Sequence, residues 1–170
     1  MKAVYTTLII ALMIAGICST ASSKQKIGVY DSRIVAIWYF NTQEFKESNS
    51  KKMQEYQEAK KNNDTNKMNE LKDYFPLLQR VLHDKGFGRG SVATIMEKRK
   101  ADIDAFAEAE KLTALVSMWE LNYLAKGAEK VDVTLKLLKA LKAGDNIIIM
   151  YDEMKNQAPV DDAFFMDPRE

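Results

Sequence analysis

Two β-prone segments that lie far apart in the chain constrain the fold of this protein more than any other feature. Residues 26–30 (KIGVY) alternate between two faces as a short strand does, and residues 114–124 (ALVSMWELNYL) alternate in the same way. The chain between them is polar, charged and helix-prone. Two distant strands that pair across a helical segment predict an α+β fold with a small sheet formed by the strands at Ile27 and Leu115.

The helical segment contains two amphipathic stretches on either side of a glycine-rich turn at residues 86–90 (GFGRG). The first stretch repeats its apolar residues at spacings of three and four, which is typical of a coiled-coil seam. The two stretches predict an antiparallel, coiled-coil-like helical hairpin over about residues 42–111 that projects from the sheet body. The apolar positions of the hairpin are Met68, Leu71, Phe75, Leu78, Leu82, Met96, Ile103 and Phe106. They either pack against each other or partly face a partner, and they are the predicted partner-binding residues.

Local signals refine the helical regions. Residues 62–65 (NNDT) predict a turn, and Pro76 predicts a kink or a new helix start because it has no backbone N–H. Residues 34–40 (IVAIWYF) fit either a strand or a helix. The helix is favoured because Ile34 and Trp38 share one helical face, but both assignments stay open.

The last part of the chain is predicted to be helical as well. Helices are expected over about residues 134–157, the first of them capped by Asp132 or Thr134 and closed by Gly144. The length of the chain without its N-terminal leader is typical of one domain, which we expect to span residues 24–170.

The first 23 residues have the three parts of a secretory signal peptide. Lys2 supplies a positive start, an apolar stretch of residues 8–17 follows, and Ser19 and Ala21 form a small-x-small cleavage site. The apolar stretch is too short for a bilayer span, which takes about 20 residues. We therefore expect cleavage near Ala21 and an exported, periplasmic protein without an integral membrane span. An uncleaved anchor helix is the alternative.

Loss of this leader would set the charge and the cysteine content of the mature chain. Lys2 and the only cysteine, Cys18, lie in the leader, which leaves 24 basic and 24 acidic side chains and no thiol. A net charge of zero argues against a nucleic-acid-binding protein, which carries a basic surplus on one face. Without cysteine, the mature chain is not a disulfide-stabilised scaffold, so its fold depends on packing or on assembly.

No residue pattern points to catalysis, a cofactor or a metal. His83 is the only histidine, so one chain offers no pair of imidazole ligands. The glycine-rich turn follows a helix and has no lysine before Ser91, unlike phosphate-binding loops. Carboxylates two residues apart, such as Asp102 and Asp104, do not face each other on a helix. The sequence therefore predicts a protein that is not an enzyme and needs no cofactor.

Several of these segments resemble the Skp/OmpH family of periplasmic chaperones. The resemblance is carried by the leader, by KIGVYDSR at residues 26–33, by the charged hairpin, and by residues 114–123 with VDVT at 131–134 and the apolar helix at 135–141. It implies a trimer whose small β-bodies form a shared core and whose helical arms enclose unfolded outer-membrane proteins. The chain differs from the family in its short, interrupted and charge-balanced arms and in the additional residues 145–170.

The predicted function is that of an exported polypeptide-binding protein, similar to a chaperone, that holds unfolded or envelope proteins through the hairpin residues. It is expected to act as a homo-oligomer, a trimer by the resemblance, because several weak sites then bind one client together. A structural envelope scaffold that forms a closed oligomer without binding clients is the alternative. A small exported enzyme whose carboxylates meet only in the folded chain is a third hypothesis.

Overall fold

A computed structural model describes residues 24–159, which form three β-strands and eight α-helices. The elements in chain order are β1 (Lys26–Tyr30), α1 (Ser32–Phe40), α2 (Gln43–Lys61), α3 (Thr65–Lys72), α4 (Tyr74–Gly86), α5 (Ala93–Lys98), α6 (Lys100–Ala109), β2 (Ala114–Ser117), β3 (Glu129–Asp132), α7 (Thr134–Ala140) and α8 (Asp145–Met154). The predicted signal peptide, including Cys18, lies outside the described residues. The fold mixes helices with one small sheet, as the sequence predicts.

The sheet has the strand order β2-β1-β3, and both pairings are parallel. Gly28 in the central strand lies opposite Leu115 in β2 and Val131 in β3. The predicted pairing of the two distant segments is therefore confirmed. The third strand was not predicted, because its sequence (EKVD) is mostly charged and exposed and lacks the alternation of a half-buried strand. Helices α1 to α6 connect β1 to β2, as a parallel pair requires a long crossover.

The predicted strand over residues 114–124 is too long. β2 ends at Ser117, level with the end of β1, where the N–H of Met118 still donates to the carbonyl of Tyr30 at 2.8 Å. Beyond that point β1 offers no further partner, and the chain turns. Tyr123 is consequently 80% exposed instead of lying on a strand.

Helix α1 settles the ambiguity at residues 34–40, which are helical. Asp31 caps the helix, and its carboxylate accepts a hydrogen bond from the N–H of Arg33. Ile34 and Val35 are completely buried, and each contributes roughly 1.5–3 kcal/mol of burial energy. Helix α1 contacts both α4 and α8, so it is the central helix of the core.

Helices α2, α3 and α4 pack against one another. The turn at residues 62–64, with Asn63 at a φ of 54°, joins α2 to α3, so the predicted break there is confirmed. The hydroxyl of Tyr74 donates to Asn49 Oδ1 at 3.0 Å, and the ring of Phe75 lies 6.2 Å from that of Tyr56. The chain thus folds back on α2 before it reaches the glycine-rich turn.

Pro76 is the third residue of α4, which starts at Tyr74, so the predicted new helix start is confirmed. The first turn of a helix has no intrahelical partners for its N–H groups, and a proline is tolerated there. After the glycine-rich turn the second amphipathic stretch divides at Arg99 into α5 and α6. Ile95 and Phe106 from these helices belong to the hydrophobic core. A single projecting hairpin around the glycine-rich turn is therefore not confirmed.

Two further predictions about the last helices need adjustment. The N-cap of α7 is Val133 and not Asp132 or Thr134. Helix α7 ends at Ala140, and Gly144 does not close it but precedes α8 as its N-terminal cap. No helix within residues 24–159 combines the length and the apolar character needed to cross a membrane.

Candidate functional site

Polar side chains gather at the edge of the sheet where all three strands end. Asp31 and Arg33 follow β1, Trp119 follows β2, and Asp132 and Thr134 come from the end of β3 and the start of α7. Because the strands are parallel, their carboxyl ends meet at one edge, which is where open parallel sheets hold their functional groups. We call these five residues the polar clasp.

A buried ion pair forms the centre of the polar clasp. Arg33 Nη2 lies 2.7 Å from Asp31 Oδ2, and the two side chains are only 5% and 1% exposed. The Nε of Arg33 also donates to both carboxylate oxygens, at 3.0 and 3.2 Å. Trp119 donates from Nε1 to Asp31 Oδ1 at 3.0 Å, and its ring centroid lies 4.7 Å from the guanidinium carbon. A buried pair is stable only with such additional hydrogen bonds.

The second half of the polar clasp ties β3 and α7 to β1. The hydroxyl of Thr134 accepts from the N–H of Asp31 at 3.0 Å and donates to Asp132 Oδ1 at 2.7 Å. The same Asp132 oxygen accepts from the N–H of Thr134, and Tyr151 of α8 reaches the other carboxylate oxygen at 3.5 Å. Burial is the main cause that raises the pKa of Tyr151 above its ordinary value. Segments from four parts of the chain are therefore fixed to one another.

The glycine-rich turn covers the polar clasp. Gly88 has a φ of 80°, and a Cβ at this position would lie 3.2 Å from Arg33 Cγ and 3.4 Å from Pro159 Cβ. A residue with a side chain is disfavoured both by this φ and by the close approach. The turn thus packs on the arginine stem.

The chemistry available in the polar clasp is limited by burial. Asp31 is 1% exposed and Thr134 is fully buried, so substrate has no access to either side chain. Their polar atoms are satisfied by one another, since within residues 24–159 only Arg99 Nε is buried without a hydrogen-bond partner. No group of three His, Cys, Asp or Glu side chains in this part of the chain is placed to hold a metal. The polar clasp positions elements, and we assign it a structural role.

An open apolar groove lies beside α4, between this helix and its neighbours α1, α2 and α5. Its volume is about 370 Å³. The apolar and aromatic residues that line it are Tyr39, Phe40, Phe45, Tyr74, Leu78, Val81, Leu82 and Ile95. The polar residues of the lining are Glu44, Ser48, Asn49, Lys85, Thr94 and Lys98. An apolar floor with a few polar groups is typical of a binding groove. We call this feature the α4 groove.

The first five predicted partner-binding residues lie on α3 and α4. Leu78 and Leu82 line the α4 groove and are half-buried. Phe75 and Met68 are also half-buried, whereas Leu71 is buried, with 2% of its surface exposed. The predicted apolar seam is therefore divided. Leu71 is covered within the chain, whereas Leu78 and Leu82 border the α4 groove.

The other three predicted residues pack into the body. Phe106 belongs to the buried core, and Met96 and Ile103 pack against it. The prediction missed Leu77 and Val81 of α4, which are 60% and 37% exposed, because they fall outside the three-four spacing. The sequence did contain a signal for Leu77 and Val81. The segment that begins at Tyr74 has apolar residues on more than one helical face, so burial of one face leaves some of them exposed.

Charges at the end of the α4 groove are linked to each other. Lys98 Nζ donates to the hydroxyl of Tyr39 at 2.6 Å and lies 3.4 Å from Glu44 Oε1. The hydrogen bond to Tyr39 is the main cause that raises the pKa of Lys98. Arg99 also contacts Glu44, at 2.8 Å. The groove thus has an apolar floor and an end that offers both signs of charge.

Comparisons of this chain with protein-family models, with curated proteins and with solved structures found no match.

Proposed function

We propose that the protein is an exported polypeptide-binding protein that holds apolar segments of unfolded or envelope proteins in the α4 groove and on the exposed apolar surface of α4 at Leu77, like a chaperone and without enzymatic activity or a cofactor. One observation carries the proposal. No residue of α4 is buried, although Phe75, Leu77, Leu78, Val81 and Leu82 are all large and apolar. A contiguous apolar surface of this kind typically marks an interaction site.

Burial of these side chains by a client supplies the binding energy. Complete burial of one such side chain contributes about 1.5–3 kcal/mol. Leu77 begins 60% exposed, so most of its contribution is still available to a partner. Non-directional apolar contacts with mixed charges at one end suit clients that share hydrophobicity but no common sequence. Release then requires no nucleotide, because each contact is weak and reversible.

Export and oligomerisation are part of the same proposal. The predicted signal peptide, with cleavage near Ala21, would bring the protein to the periplasm, where unfolded envelope proteins occur. The resemblance to the Skp/OmpH family implies a trimer, in which several grooves act on one client. The mass of the secreted protein gives the cleavage site, and light scattering across a dilution series gives the number of copies.

Suppression of aggregation tests client binding. The purified mature protein is mixed with a denatured outer-membrane β-barrel protein diluted from urea, and turbidity is recorded. We expect wild type to suppress turbidity without nucleotide and Leu77→Glu/Val81→Glu to lose most of this activity. Ile149→Glu on α8 is the matched control, since Ile149 is 59% exposed, like Leu77, but lies outside both α4 and the groove. Full activity of the double variant with a native circular dichroism spectrum contradicts the proposal.

The same preparation distinguishes the client-binding protein from the closed scaffold. A scaffold would cover α4 within its own assembly and bind little hydrophobic dye. A client-binding protein leaves α4 open and binds dye in a way that Leu77→Glu/Val81→Glu reduces and Ile149→Glu does not. Absence of dye binding by a stable oligomer would favour the scaffold.

A further inference from the structure

A second cavity lies away from the α4 groove, where the α1–α2 junction, the α5–α6 junction and the α7–α8 loop meet. Its volume is about 520 Å³. Cavities that bind small molecules usually measure about 300–1,000 Å³. The space is therefore large enough for an organic molecule and larger than one inorganic ion needs.

Positive charge dominates the lining of this cavity. Lys46 comes from the first turn of α2, Arg99 from the α5–α6 junction and Lys142 from the α7–α8 loop, against one carboxylate, Asp102. The ion pairs within residues 24–159 include neither Lys46 nor Lys142. Three segments thus bring cations to one concave site, two of them without a carboxylate partner in the described part of the chain.

Arg99 adds an unused donor. Its Nε is buried without a hydrogen-bond partner among residues 24–159, while its Nη2 is bound to Glu44 at 2.8 Å. The side chain as a whole is 30% exposed, so it borders the cavity instead of being sealed beneath it. A buried donor without a partner is unfavourable, and the guanidinium as a whole adds a positive charge to the cavity lining.

Buried apolar side chains complete the lining of the site. Trp38 lines the cavity, and its ring centroid lies 5.6 Å from the guanidinium carbon of Arg99. Ile147 of α8 lies on the same lining, and Asn146 provides an amide. Trp38 is 6% exposed and Ile147 is 2% exposed, so each offers a small apolar edge beside the cations.

We propose that this cavity binds a small organic anion whose carboxylate or phosphate group is held by Lys46, Lys142 and Arg99, with its carbon skeleton against Trp38. Asp102 offers an acceptor for a hydroxyl group of the same molecule. This cavity shares no lining residue with the α4 groove, although Arg99 of the cavity pairs with Glu44 of the groove at 2.8 Å.

Isothermal titration calorimetry of the mature protein in about 150 mM salt tests the proposal, because salt at this level screens weak surface attraction. The probes are citrate, glycerol 3-phosphate and inorganic phosphate. We expect saturable binding of at least one organic anion. Quenching or a shift of the tryptophan fluorescence should accompany it, since Trp38 lines the cavity. The preference between citrate and glycerol 3-phosphate identifies the anionic group.

A charge-matched pair of double variants locates the site. Lys46→Gln/Lys142→Gln should weaken binding at least about tenfold, because two charge-assisted contacts are lost. Lys61→Gln/Lys139→Gln removes the same charge from α2 and α7 outside the cavity and should bind within about twofold of wild type. Equal loss in both pairs, no saturable binding of any probe, or inorganic phosphate bound as tightly as the organic anions overturns the proposal.

Discussion

The polar clasp and helix α4 use their side chains in opposite ways. The polar clasp buries an aspartate and an arginine, each with several hydrogen bonds, whereas α4 leaves Leu77 60% exposed and has no buried residue. Buried charges are tolerated only with fixed partners, so the clasp tolerates little movement. Apolar contacts have no fixed geometry, so α4 can accept different partners. The difference separates a region that fixes elements of the fold from the exposed helix at which we propose that clients bind.

The largest effect is expected at the centre of the polar clasp. Asp31→Asn leaves the Arg33 guanidinium buried without a counter-charge and should lower the free energy of unfolding by about 3–5 kcal/mol. Urea denaturation measures the loss. Asp104→Asn is the control, because its pair with Lys100 is 60–61% exposed and screened by solvent, so it should contribute little to stability. If both variants lost a similar free energy of unfolding, the buried ion pair of the polar clasp would contribute no more to stability than an exposed ion pair.

The second largest loss of stability is expected for a leucine of the hydrophobic core. Leu137→Ala in α7 removes a completely buried side chain and should cost about 2–5 kcal/mol, since a cavity remains. Leu135→Ala in the same helix is the control, because Leu135 is 38% exposed and faces less of the body. We expect it to cost less than about 1 kcal/mol in the same urea titration. A small loss at Leu137 would mean that α7 is not fixed by the core as the clasp geometry requires.

The residue before the polar clasp should make stability depend on alkaline pH. Burial, with a smaller contribution from Glu120, raises the pKa of Tyr30 from 10.0 to about 12. Between these values the unfolded chain releases the phenolic proton and the folded chain retains it, so stability falls as pH rises. The loss above pH 12 is roughly 2–3 kcal/mol.

Tyr30→Phe isolates this contribution from the lysines that titrate in the same range. The difference between wild type and the variant should be constant below pH 10 and should shift in favour of Phe between pH 10 and about 12. Urea denaturation at four pH values measures it. A difference that does not change with pH would mean that Tyr30 ionises inside the folded chain without penalty.

The sequence predicted the elements whose pattern is local. The period-two segments at Ile27 and Leu115 do pair, and Pro76 does coincide with the start of a helix. The polar clasp was not predicted, because the N–H of Asp31 bonds to Thr134, a residue 103 positions away. Asp132 or Thr134 was predicted as a helix cap, but no local signal indicates that Thr134 shares one hydrogen-bond network with Asp31.

The candidate binding residues show a second limit of the sequence. Spacing identifies the apolar face of a helix, as it did for Leu78 and Leu82, but it does not say what covers that face. Met96 and Phe106 fit the same pattern and pack in the core cluster. Leu77 lies off the pattern and is the most exposed apolar side chain of α4. Coverage is a tertiary property, so the groove required the structure.

The smallest effect on stability is expected on α4, and it tests the comparison most directly. Leu77→Ala/Val81→Ala removes apolar surface that is already exposed, and alanine favours the helix by up to about 0.5 kcal/mol over valine. The two contributions oppose each other, so the free energy of unfolding should change by less than about 0.5 kcal/mol, while hydrophobic dye binding falls. A loss above about 2 kcal/mol that grows with protein concentration would show that a second copy covers α4. In that case α4 would be a fixed contact like the polar clasp, and the α4 groove would be closed to clients.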